Sequence, residues 1–327
     1  MPELTDPFGR RIEYLRLSVT DRCDLRCTYC MPKGFHGFEE PEHWLTFAEI
    51  DRVVGTFTRL GVRRVRVTGG EPLVRRDLPD LVARLACLPG LQDLSLSTNA
   101  VRLARHAAAL KAAGLQRVNV SLDSLDRDRF ATITGGGRLE KVLDGLEAAR
   151  AARLQPVKIN MVVMAGVNED EVPAMVDFCL EHDFTLRLIE TMPMGPTGLA
   201  ATGQYADLQA VRSRLAERYE LVPAVMAGGG PARYVQVAGT PLKIGFITPL
   251  SQHFCGTCNR VRLSVDGTLY LCLGQDSRFE LRPLLRAGAS DAELEDAVRQ
   301  AIAIKPERHE FREKPQQIAR LMSATGG

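Results

Sequence analysis

Six of the eight cysteines in this 327-residue chain fall into two triples: Cys23, Cys27 and Cys30, spaced C-x3-C-x2-C, and Cys255, Cys258 and Cys272. In a chain read as intracellular, such groups are metal ligands rather than disulfide partners. Spacing alone leaves two chemistries open. Structural zinc takes four ligands, and His253, two residues before Cys255, could complete a zinc knuckle at the second triple. A four-iron cluster held by three cysteines keeps one iron free for a substrate or cofactor, the open position that chemistry at a metal needs. Cys87 and Cys179 stand alone in helical stretches among apolar residues and read as small buried hydrophobes. His36, His43, His106, His182, His253 and His309 show no ligand-like spacing and read as solvated or satisfied.

A second set of residues is out of place for packing alone. Arg16, Arg66 and Lys158 lie inside runs otherwise made of Leu, Val and Ile, where a cation is costly unless paired. Their partner is an acid of this chain or an anionic ligand. Arg260 and Arg262, two apart in a β-rich arm, share one strand face and present two forked donors suited to phosphate or ribose. GGEPL, from Gly69 to Leu73, joins glycines that permit close backbone approach to Glu71, a carboxylate partner for an ammonium group.

These residues need a scaffold. Between Tyr14 and Glu190, β-rich runs at 14–19, 63–68, 93–97, 117–121, 157–163 and 185–190 alternate with amphipathic helical stretches. Thr46 with Glu49 forms a capping box, Asn168 precedes an acidic first turn, and Gly61 and Gly114 read as C-caps. Repeated β-then-α units imply a parallel sheet with function gathered at the strands' C-terminal ends. After Glu190 the pattern changes to a Pro- and Gly-rich stretch, a helix near Tyr205 to Tyr219 and short strands. The expected division is 1–190 and 191–327. Arg260 to Leu273 reads as a hairpin turning at Asp266-Gly267; a two-residue turn pairs Val261 with Cys272 and puts Cys272 on the face opposite Arg260, unless a bulge intervenes.

Composition narrows the class. Lys plus Arg total 42 against 40 Asp plus Glu, a net charge of +2 that gives no footprint for nucleic acid. No apolar run is long enough to span a membrane, and Met1 to Tyr14 carries charges in place of an apolar leader core, so a cytoplasmic location is expected.

The segment CDLRCTYC, with Tyr29 before the last cysteine, and GGEP at the end of the second run resemble the cluster loop and SAM-contacting motif of the radical S-adenosylmethionine (SAM) enzymes. Within that superfamily, LRLSVTDRCDLRCTYCMP, RVTGGEPLVR, LSTNA, RVNVSLDSL, VKIN, IETMPMG, FCGTCNRVRLSVDGTLYLCL and the terminal Gly326-Gly327 resemble the GTP 3′,8-cyclases, from about Phe8 onward. The resemblance implies an α/β fold, a partial (β/α)6 TIM-like barrel with a smaller C-terminal extension carrying a second iron–sulfur cluster. It implies that Cys23, Cys27 and Cys30 hold a SAM-binding 4Fe-4S cluster contacted by SAM ligands Tyr29, Gly70, Ser121 and Met192, and that Cys255, Cys258 and Cys272 hold a second 4Fe-4S cluster meeting the guanine base. Arg16, Arg66, Thr98, Lys158, Arg260 and Arg262 match GTP contacts, and Arg260, Arg262 and a Gly326-Gly327 tail reaching the active site match the catalytic set. The implied reaction opens molybdenum cofactor biosynthesis: reductive SAM cleavage, hydrogen removal from ribose C3′ and closure onto guanine C8. The implied partners are GTP, an electron donor such as a flavodoxin or ferredoxin, a second copy in a homodimer and the next enzyme of the pathway. A radical SAM enzyme acting on a peptide or another small molecule, or a non-catalytic iron–sulfur or zinc module, remains the competing expectation.

Overall fold

Each of the six β-rich runs becomes a strand, with ends within one residue of expectation: β1 (Tyr14–Ser18), β2 (Arg64–Thr68), β3 (Asp93–Thr98), β4 (Arg117–Ser121), β5 (Lys158–Val162) and β6 (Thr185–Ile189). The computed structural model describes residues 3–226 and 228–326. These strands pair in sequence order and in parallel, joined by crossover helices α1 (Phe47–Arg59), α2 (Leu78–Ala86), α3 (Leu103–Ala112), α4 (Arg127–Thr134), α5 (Leu139–Ala151) and α6 (Val172–Glu181). The Thr46–Glu49 capping box starts α1, and Gly61 and Gly114, at φ +99° and +98°, follow α1 and α3 in the left-handed conformation that ends a helix. Asn168 does not cap: its amide donates to the carbonyls of Asp123 and Val162, at 2.7 and 2.9 Å, and its carbonyl accepts from Met164 N, stitching the ends of β4 and β5.

The C-terminal region extends the same sheet at both edges. Its strands are β7 (Leu221–Ala224), β8 (Arg233–Val237), β9 (Lys243–Ile247), β10 (Arg260–Leu263), β11 (Thr268–Tyr270) and β12 (Arg278–Glu280). The order is β12-β11-β10-β1-β2-β3-β4-β5-β6-β9-β8-β7, with β10 parallel to β1 and β9 parallel to β6. The partial barrel therefore stays open, with antiparallel ribbons at both edges. One contiguous apolar core, which includes Leu15, Leu17, Val65, Val67, Val120, Ile159 and Leu186, lies between the sheet and its helices.

Two expectations change. Cys179 is buried, but Cys87 is exposed at the end of α2, where the chain leaves the apolar face. The hairpin pairs Arg262 with Tyr270 and Leu263 with Leu269, one residue out of the two-residue register. Its turn has three residues, Val265 to Gly267, closed by Gly267 at φ +86° and by the Ser264 N to Thr268 O bond. Continued two pairs further, this register sets Cys272 across from Arg260 on the same face.

Candidate functional site

At the C-terminal end of the parallel strands, two cavities meet. The first is lined by Cys23, Cys27 and Cys30 from the loop after β1, Gly69 and Gly70 after β2, Thr98 ending β3, Ser121 ending β4, and Tyr29, Asp123 and Met192. The second holds Cys255, Cys258 and Cys272 with Arg16, Arg66, Arg187, Arg260 and Arg262. Asn160, Ile189 and Met192 line both, so they form the wall between them. The free space of each, about 1000 Å³, includes open solvent at its mouth.

The first cavity is built by loop-to-loop packing. A Cβ added at Gly69 would lie 2.3 Å from the Thr20 carbonyl oxygen, and one at Gly70 2.3 Å from that of Arg22. Gly70 N and Glu71 N donate to those same two carbonyls, both at 2.8 Å. The glycines thus let the GGEP turn lie against the backbone leading into Cys23, a closer constraint than access to a ligand. Glu71 is likewise occupied: its carboxylate accepts from the Thr98 hydroxyl at 2.7 Å and from Asn99 N at 2.6 Å, tying β2 to the end of β3. Burial pushes this carboxyl up to about 7. The Tyr29 hydroxyl donates to Asp123 Oδ2 at 2.7 Å, which fixes the ring beside Cys30. Burial holds all three thiols high, with Cys23 at about 12 and Cys30 at about 11.

The second cavity is cationic. Arg262, Arg16 and Arg66 lie directly opposite one another on β10, β1 and β2, a row of three guanidinium groups across adjacent strands. Arg187, which pairs with Asn160 across β5 and β6, extends the set; its Nη2 donates to Asn119 at 2.6 Å. Arg16, Arg66 and Arg187 are under 8% exposed, and no Asp or Glu is among the lining residues. Arg16 Nε and Nη2, Arg187 Nε, Asn160 Oδ1 and the Tyr14 hydroxyl are buried without a hydrogen-bond partner. Buried donors left this way are expensive, so the set fits an anionic ligand with several acceptors. Burial lowers Arg262 to about 9, with Arg260 adding to the effect, and Arg187 to about 10. Lys158 shares a strand face with Asn160 one repeat deeper and lies outside the lining; burial with Arg187, Arg117 and Arg66 brings it down to about 7.

Around the second triple, other chain segments pin the backbone. Arg10 donates to the Cys255 carbonyl at 2.8 Å, Arg320 to that of Cys272 at 3.0 Å, and buried Lys305 to those of Arg260 and Leu271. Burial would raise the Cys258 thiol, but Arg260 and Lys305 outweigh it and bring it down to about 7.

The C-terminal tail closes the junction. Arg262 donates to the carbonyls of Thr325 and Gly326, Met322 and Ser323 line the first cavity, and a Cβ on Gly326 would fall 2.3 Å from Thr68 Cγ2. Gly327 lies outside the described residues.

The other anticipated site residues line one of the two cavities or close over their junction, except Lys158, which lies one repeat deeper; Thr98 stands in the first cavity, away from the arginines. Arg187, Lys305 and Arg10 escaped the sequence reading. Arg187 carried the signal of Arg16, a cation between leucines in TLRLIE; Lys305 and Arg10 carried none, because their partners are hundreds of positions away or on other elements. His309, read as satisfied, is buried with neither ring nitrogen bonded. The residues also suit clusters better than single ions at the triples: neither set of three thiols converges as closely as one ion requires.

Residues 17–179 match the Radical SAM superfamily and residues 184–311 match Molybdenum Cofactor Synthesis C. The GTP 3′,8-cyclase of Paracoccus denitrificans is 51% identical over 99% of this chain and 96% of its own, and that of Ectopseudomonas mendocina 48% over 99% of each. Among solved structures, Streptococcus suis SuiB bound to S-adenosylmethionine shares the fold, with TM-score 0.60 and 14% identity over 89% of this chain and 69% of its own. With full-length relatives at this identity and both triples set in adjoining cavities of an open parallel barrel, the chain belongs to the GTP 3′,8-cyclase family of radical SAM proteins.

Proposed function

We propose that this protein converts GTP to 3′,8-cyclo-7,8-dihydro-GTP, the first step of molybdenum cofactor biosynthesis, using SAM and two 4Fe-4S clusters. Cys23, Cys27 and Cys30 hold the first cluster and Cys255, Cys258 and Cys272 the second; when bound, the clusters and SAM supply the electron and the radical that removes hydrogen from C3′ of the ribose. The chain's own contribution is placement and exclusion of water. Tyr29, Gly70, Ser121 and Met192 contact SAM in the first cavity. Arg16, Arg66, Arg187, Arg260 and Arg262 hold the triphosphate and ribose in the second, Lys158 adds charge from below, and Thr98 reaches toward the substrate from the first cavity. The base then lies toward Cys255, Cys258 and Cys272, and C3′ comes to the shared wall at Asn160 and Met192, facing SAM. Gly326, anchored through Arg262, covers the junction. Residues 1–190 carry the first cluster, most of the SAM contacts and part of the substrate cavity, and residues 191–327 carry the second cluster and close over the substrate.

The observation that carries this reading is the acid-free row of buried, partly unpartnered arginines beside a cysteine triple. A flavodoxin or ferredoxin serves as electron donor in the cytoplasm, and no helix among the described residues is long and apolar enough to cross a membrane. The test is anaerobic turnover of the reconstituted protein with SAM, reductant and GTP, ATP or no nucleotide. GTP-stimulated 5′-deoxyadenosine with a cyclised GTP isomer is expected; SAM cleavage indifferent to GTP would overturn the substrate.

A further inference from the structure

His253, Cys255 and His309 bring their ligand atoms within 4.8 Å of one another, and among the described residues no other three His, Cys, Asp or Glu side chains converge as closely. The three belong to two segments at least 54 residues apart in sequence, drawn together by packing. His309 is 4% exposed, its two ring nitrogens have no partner, and its ring lies 4.9 Å from that of His253 and 4.6 Å from that of Phe311. Its position is fixed from behind: a Cβ on Gly274 would fall 2.6 Å from His309 Cβ, so the glycine admits the close approach of His309. A buried imidazole with both nitrogens idle is a cost that a ligand would remove.

We propose that, before its second cluster is built, this chain holds one zinc-class divalent ion on His253, Cys255 and His309. A tetrahedral zinc ion with bonds near 2.0–2.3 Å wants ligand atoms about 3.3–3.8 Å apart. Three protein ligands leave the fourth position to water. Two imidazoles and one thiolate match zinc and cobalt rather than calcium or magnesium.

Cys255 cannot serve the ion and the cluster together. The ion and the second cluster therefore exclude one another, a consequence that rests on the cluster assignment above, whereas the ion site itself does not. Cysteine loading by zinc is thereby set against cluster assembly at one sulfur.

The test is titration of the cluster-free, reduced, full-length protein with Co2+, read by visible absorption, followed by reconstitution with iron and sulfide. One Co2+ per chain with tetrahedral bands is expected, weakened at least about tenfold by His253→Ala, at an exposed position, and by His309→Gln, but retained in the Cys258→Ser, Cys272→Ser double variant. Bound Zn2+ should halve or better the iron taken up at the second triple while leaving uptake at the first unchanged. Binding that ignores both histidines and needs Cys258 and Cys272, or no binding at micromolar metal, overturns the site. Binding as expected with undiminished iron uptake would keep the ion site and overturn the shared use of Cys255.

Discussion

The two cysteine triples have the same number of thiols and opposite surroundings. Around the first stand Asp123, Asp24 and Glu71, and burial with those carboxylates holds its thiols up. Around the second stand Arg10, Arg260, Arg262, Lys305 and Arg320, and Arg260 with Lys305 brings Cys258 down to about 7 against burial. Ligand count therefore does not separate their tasks; the neighbouring charge does. An acid-rimmed pocket suits a ligand carrying a positive sulfonium and ammonium, and a cation-rimmed one suits a polyphosphate. The wall shared through Asn160, Ile189 and Met192 sets the two cavities edge to edge.

Breaking either triple should produce the largest effects, and different ones. Cys27→Ala should abolish both 5′-deoxyadenosine and nucleotide product, whereas Cys258→Ala should abolish the product and leave reductive SAM cleavage measurable by chromatography. Equal loss of SAM cleavage in both would erase the distinction. Next, Arg187→Ala should raise the KM for GTP about 100-fold, equivalent to about 2.7 kcal/mol, with the KM for SAM unchanged. Gly326→Ala, whose Cβ meets Thr68, should lower turnover about tenfold by displacing the tail, while the thermal midpoint barely moves.

The smallest effect is a pH-dependent one. Lys158 falls from 10.5 to about 7 on folding. Between those values the unfolded chain binds the extra proton, so this lysine's burden on stability is full below pH 7 and fades toward pH 10. Ligand-free Lys158→Met should therefore melt a few °C above wild type at pH 7, with the gap closing as pH rises. A gap independent of pH would show that Lys158 does not titrate there.

Local signals carried far in this chain. The parallel strands, the capping box at Thr46 and both triples were legible because each is written in residues a few positions apart. The pairing of β10 with β1 and β9 with β6 was not, since the partners are separated by many residues and share no periodic mark. The row Arg262, Arg16, Arg66 exists only through that pairing. The hairpin slipped by one residue because Asp266-Gly267 reads as a complete two-residue turn, whereas Val265 joins it and Gly267 takes the left-handed position. Glu71 was misread for a related reason: its bonds to Thr98 and Asn99 come from another strand.

The central claim is that the ribose held in the cationic cavity presents C3′ to SAM in the acidic one. Turnover of GTP carrying deuterium at C3′, with 5′-deoxyadenosine analysed by mass spectrometry, tests it most directly. The account predicts one deuterium transferred per cyclised product; product forming alongside unlabelled 5′-deoxyadenosine would contradict it.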